Sequence, residues 1–146
     1  MPDALPSPAR ILGPAGLIPF VGLALFAALS PEWRPVVLVV LRAYGATIAA
    51  FLGAVHWGLA LRPVPGEEGA AWGRIGLGVV PALLAWVALL MPLRVGLLAL
   101  AAILVATAAV ESLAARRGLV PAAYLRLRWF LSLAAAACLL VGAAVA

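Results

Sequence analysis

Long apolar runs broken by short polar punctuation set the pattern of this chain. Residues 11–29, 36–61, 75–91, 95–113 and 129–146 are almost free of charge, and the segments between them collect the arginines, glutamates, prolines and glycines. Each run has the roughly 17–25 residues that carry an α-helix across the hydrocarbon core of a bilayer. The third and fourth cannot be a single helix, since about 36 residues at 1.5 Å each would reach ~54 Å against a core of ~30 Å. The pattern therefore predicts five spans, with residues 1–10 as a disordered lead and residues 11–146 as one transmembrane domain.

Local chemistry sharpens several boundaries. The first run exceeds a signal-peptide core, so it reads as a retained span. Pro19 within it removes a backbone donor and frees the carbonyl of Ala15, which predicts a kink. Residues 30–35 (SPEWRP) read as a tight connection, with Pro35 opening the second helix. Residues 62–74 read as a solvent loop and residues 92–94 as a hairpin turn. Residues 114–128 hold Gly118 and Pro121, which argue for a turn rather than continuing helix.

Composition agrees. With 67% hydrophobic and 10% charged residues, the chain lies far outside the soluble range of about half apolar and a quarter charged. The fold class is all-α, an integral membrane bundle of five transmembrane helices. A net charge of +5 would suggest nucleic acid in a soluble protein; here the arginines flank apolar runs, so no nucleic-acid partner is expected. Arg10, Arg62, Arg74, Arg116, Arg117, Arg126 and Arg128 fall on one side, and Arg34 and Arg94 on the other, with Arg42 partly embedded beside them. The positive-inside bias puts the N-terminus in the cytoplasm and the C-terminus outside. Arg116, Arg117, Arg126 and Arg128 serve topology in this reading, or bind anionic lipid headgroups. Cys138, the single cysteine, reads as core packing.

The second run carries the candidate chemistry. On a helical wheel Arg42, Ala46, Ala49, Gly53, His56 and Ala60 share one face. Gly45, Ala49 and Gly53 stand four apart, a spacing that lets two helix backbones approach closely in lipid. This makes the second helix the packing centre. His56, the only histidine, should point into the bundle because imidazole is costly to leave facing acyl chains. It could be structural, bonded to a carbonyl freed by Pro19 or Pro81. Alternatively, with Trp57 and Tyr44 or Glu111, it could handle a proton or bind a quinone or lipid. Without carboxylates or cysteines at ligand spacing it makes a poor metal or haem site, and no cofactor is expected. In the fourth run Ala99, Ala102, Ala106 and Ala109 form the small face. Glu111 points nearly opposite, which directs it to the interface and to Arg116, Arg126 or Arg128 rather than to His56. Arg42 is close enough to the surface to snorkel.

Several runs carry a resemblance: GLIPF at 16–20, AYGA at 43–46, FLGAVHWGLAL at 51–61, VVPALLAW at 79–86 and YLRLR at 124–128. Together they resemble an uncharacterised family of small bacterial membrane proteins, catalogued as a domain of unknown function, with transmembrane relatives in the mitochondrial inner membrane of animals. The resemblance implies a five-span bundle in a bacterial inner membrane and supplies no reaction. No phosphate loop, HExxH or serine-nucleophile motif is present, so a non-enzymatic protein is expected. The leading expectation is an accessory or assembly component, or a homo-oligomer, working through lateral contacts within the lipid. The alternative is a small transporter or ligand-binding protein built around His56.

Overall fold

The structure, a computed structural model, describes residues 5–61, 66, 68–116 and 122–146. Helices α1 (Ser7–Ala15) and α2 (Leu17–Leu29) form the first span, followed by α3 (Arg34–Leu61), α4 (Ala71–Leu90), α5 (Leu93–Ala115) and α6 (Ala122–Val145), with a 3₁₀ turn at Glu68–Ala70 before α4. All five spans are long and apolar enough to cross a membrane. Every one extends beyond the run that the charge pattern outlined. Helix begins at Ser7, inside the stretch expected to be a disordered lead, where Pro8 fits a first-turn position that needs no N–H donor. The largest difference is at α6, which takes in residues 122–128 where a turn was expected. Gly118 and Pro121, on which that expectation rested, lie outside the described residues.

Helix α3 packs against α2, α4, α5 and α6, and α2, α4, α5 and α6 otherwise meet only their ring neighbours. The central role expected of the second span is thus realised. Its buried face runs through Leu38, Leu41, Gly45, Ala46, Ala49, Gly53 and His56. The close approach is to α4: a Cβ on Gly53 would stand 2.6 Å from the carbonyl oxygen of Gly78. Small residues let backbones meet where lipid tails remove any hydrophobic drive between helices.

Around the end where α2 stops and α3 starts, the core is built on Leu38, Leu41, Leu97, Leu100 and Leu139. Arginines there close helix ends. Arg34 Nε donates to the Ala27 carbonyl at 2.8 Å and Nη2 to Ala28 at 3.4 Å, satisfying acceptors that the last turn of α2 leaves open. Arg42 does not simply snorkel: its Nη1 donates to the Met91 carbonyl at 2.8 Å and ties α3 to the α4–α5 hairpin. Large side chains such as Ile18, Leu29, Phe51, Trp72 and Leu90 face outward, an arrangement suited to acyl chains and not to water.

The first span breaks at Gly16, one turn ahead of Pro19. The hydroxyl of Tyr44 donates to the Gly16 carbonyl at 2.9 Å, and its ring stacks edge-on against Phe20 with centroids 4.9 Å apart. Tyr44 thus takes the carbonyl next to that of Ala15, and His56 bonds Glu111 rather than a carbonyl freed by Pro19.

Candidate functional site

At the opposite end of the bundle, three helices each contribute one ionisable side chain to a single buried cluster. His56 lies five residues before the end of α3, Glu111 four before the end of α5, and Arg128 six after the start of α6. Their relative exposures are 3%, 0% and 2%. His56 Nε2 is 2.9 Å from Glu111 Oε1, and Arg128 Nε donates to Glu111 Oε2 at 2.9 Å. Arg128 Nη1 donates to the Ser132 hydroxyl, also at 2.9 Å, one turn along α6.

Glu111 accepts from Arg128 at one oxygen and meets His56 Nε2 at the other, where which atom donates depends on the ring tautomer. With Nε2 as the donor of a neutral ring, Nδ1 is the lone-pair atom, the position that can take up a proton. Glu111 and Arg128, joined at 2.9 Å, form a buried ion pair. A lone charge would be far costlier in this setting.

His56 also forms part of the wall of a cavity of about 460 Å³ between α3, α4 and α5, with Leu59, Gly73, Arg74, Leu77 and Val110. Arg74, expected in a loop, belongs to α4 and is itself buried, with Nη1 3.5 Å from the Leu59 carbonyl. Leu77 and Val110 line both this cavity and a second, apolar groove of about 380 Å³ between α4 and α5, which Pro81, Ala102 and Ala106 also line.

Two sequence-based expectations are corrected here. The His56–Glu111 pair, which the wheel disfavoured, is present. Glu111 is fully buried instead of reaching the interface, because α5 turns Leu97, Leu100, Leu104, Thr107, Ala108 and Glu111 inward. Its alanine stripe faces out, with Ala102, Ala106 and Ala109 exposed and Ala99 half-buried. Small residues do not by themselves mark the inside. Second, Arg128 is not a headgroup or topology residue; it is one of the most buried side chains in the protein. Arg116 and Arg126 are exposed as expected, and Arg117 lies outside the described residues. Arg126 and Arg128, two apart on a helix, point about 200° from one another, so only one of them can enter the core.

Of the remaining candidates, Gly45, Ala49 and Gly53 are buried in the α3 seam. Trp57 abuts Gly78 and is 43% exposed, while Arg42 lies about 21 Å along α3 from His56 and is not part of the cluster. Reading from sequence missed Ser132, whose spacing of four from Arg128 would have paired them had residues 122–128 been taken as helix. It also missed the outer brace in which Trp129 Nε1 donates to the Ser112 hydroxyl at 2.9 Å. Among the described residues no group of three histidines, cysteines or carboxylates is placed to hold a metal.

Five spans closed around a buried polar cluster define a multi-pass helical membrane protein. The chain belongs to the family described as "Protein of unknown function (DUF3429)", which matches residues 5–144. It is similar to Transmembrane protein 69 of Xenopus tropicalis, 46% identical over 85 residues that make up 58% of this chain and 33% of the relative. It is also similar to Transmembrane protein 69 of Mus musculus, 34% identical over 89 residues, 61% of this chain and 36% of the relative. The chain thus spans about a third of the length of these curated relatives. No solved structure matches it.

Proposed function

We propose that this is a non-enzymatic membrane protein whose working part is an intramembrane binding site, in which His56 offers Nδ1 to a proton or to the polar head of an amphiphile. The observation that carries this reading is the position of His56: one ring nitrogen is held by a fully buried carboxylate while the ring lines the 460 Å³ cavity. A histidine serving only to join helices has no need of a chamber. The α4–α5 groove would take the apolar part of the same molecule. The site lies at the arginine-rich end, so the positive-inside bias supports placing it towards the cytoplasm of a bacterial plasma membrane, with the C-terminus outside.

Native mass spectrometry of protein purified in mild detergent tests the site. Wild type should retain an amphiphile that is lost both from His56→Gln, which keeps an N–H for Glu111, and from Gly73→Phe, which fills the chamber. Identical adducts in all three, or none on wild type, would reject it.

A second reading, an accessory or assembly component or homo-oligomer, is supported by the exposed stripe Ala102, Ala106 and Ala109, a close-packing surface the fold leaves unused. The seam of Gly45, Ala49 and Gly53 no longer supports it, being consumed within the chain. Strict monomers carrying no other subunit after gentle extraction would rule this reading out.

A further inference from the structure

Among the described residues, the ionisable side chains in the wall of the 460 Å³ cavity are His56 and Arg74, and none is acidic. Both are more than nine-tenths buried. Glu111 stands behind the imidazole and does not line the space. The start of α4 supplies the remaining polar surface. Gly69, Ala70 and Gly73 line the cavity, and Ala70 at the N-cap position makes no side-chain bond to the first turn. A helix start of this kind favours negative charge. Arg74 belongs to the same turn, and a guanidinium has five N–H donors, so it can meet a carboxylate alongside its partners within the chain.

His56 narrows the head group further. Its Nε2 is engaged with Glu111, and Nδ1 makes no hydrogen bond among the described residues. Nor is Nδ1 one of the fully enclosed unpartnered atoms, which among the described residues are Arg42 Nε, Tyr124 Oη and Arg128 Nη2. A carboxyl group suits the ring in either protonation state: as an acid it donates to a bare Nδ1, and as a carboxylate it accepts from a protonated one. An ester or a phosphodiester can only accept. Length then sets the tail. From Gly73 to Leu84 is about 16 Å along α4, and from Ala114 to Ala102 about 18 Å along α5, and these residues line the cavity at one end and the groove at the other. One leaflet of a ~30 Å core is about 15 Å deep. Val80 and Leu84 in the groove are 51% and 49% exposed, so it is open to the acyl region.

We propose that the chamber and groove together bind one long-chain fatty acid, its carboxyl held between His56 and Arg74 and its single chain lying along the groove between α4 and α5. This rests on the binding-site reading given above and names the class of amphiphile. His56 is about 7 Å from the end of α3, the depth at which the head of an acid in that leaflet enters. The acid is bound, not converted.

The full chain in phosphatidylcholine nanodiscs, photolabelled with a palmitic acid analogue carrying a diazirine near its methyl end, provides the test, with labelled peptides read by mass spectrometry. Wild type should be labelled saturably around Val80 and Leu84 and around Ala102 and Ala106. Unlabelled palmitic acid should displace the probe at least about tenfold better than hexadecanol, the same chain without the acid. Arg74→Gln should lose that preference while still binding hexadecanol, a change that lost stability alone does not produce. Gly73→Phe in the chamber and Gly76→Phe in the groove should each abolish saturable labelling. A Cβ at either position meets nothing within 4 Å, so folding is preserved. Equal displacement by hexadecanol, or saturable labelling in both filled variants, would overturn the proposal. So would displacement by phosphatidylglycerol as effective as by palmitic acid, which makes a phosphodiester headgroup the occupant. Unsaturable labelling of a wild type that still retains another amphiphile in detergent would overturn the fatty acid alone; with no amphiphile retained, the binding-site reading fails with it.

Discussion

Replacing Glu111 by Gln asks the most of the buried cluster. The carboxylate is 0% exposed and is the one group that both His56 and Arg128 address. An amide offers a single acceptor oxygen, so one of the two donors must face an NH₂ group, and the Arg128 guanidinium, 2% exposed, loses its counter-charge. Removing one member of a buried ion pair in this way costs roughly 3–5 kcal/mol. Loss of a neutral hydrogen bond between membrane helices averages only about 0.6 kcal/mol, so magnitude separates the two descriptions. We expect Glu111→Gln to cost about 3 kcal/mol or more, measured by reversible unfolding in mixed micelles with increasing SDS. Removing both charges with Glu111→Leu and Arg128→Met should be less damaging than either single change, since paired replacement of buried ions by apolar residues is often neutral or favourable. A cost below about 1 kcal/mol for Glu111→Gln, or single-mutant costs that simply add in the double mutant, would show that the three side chains do not form one electrostatic unit.

Other perturbations report on separate parts of the bundle. Arg126→Gln should leave stability within about 0.5 kcal/mol of wild type while Arg128→Gln costs several-fold more, a contrast thermal unfolding in detergent resolves directly. Gly53→Val should destabilise by about 1–3 kcal/mol in the same thermal assay, because its Cβ would press on the Gly78 carbonyl. Tyr44→Phe removes the donor to Gly16 and should cost about 1 kcal/mol, with faster hydrogen exchange confined to the turn around Gly16.

Much of the architecture was legible because it follows from solvent. The number of spans and the inward face of α3 come from run length, charge and wheel position, which the bilayer reads directly. The site was legible only in part. His56 was found because a lone imidazole in lipid has few cheap places to go. Its true partner was passed over because α5 offers two faces, one of alanines and one of leucines with Thr107 and Glu111, and in lipid neither is inherently the buried one. What decides is the volume available against α3 and α6: the leucines fill it and carry Glu111 in with them. Arg128 was misplaced by a single boundary. With residues 122–128 read as a turn, two arginines of YLRLR were equivalent; in a helix they are on opposite sides.

The network that joins α3, α5 and α6 also bears on whether it is only structural. In lipid, helices gain little from hydrophobic association, and a polar cluster that is complete only when all three meet sets their register. Such a role calls for every donor and acceptor to be used inside the cluster. Here Glu111 is satisfied at both oxygens, yet the His56–Glu111 bond leaves Nδ1 of the ring uncommitted and Arg128 leaves Nη2 without a partner among the described residues. His56 borders one cavity and Arg128 the other. A helix staple alone has no reason to place its imidazole in the wall of a space large enough to receive a molecule. What that wall can accept is a proton or a polar group at the ring.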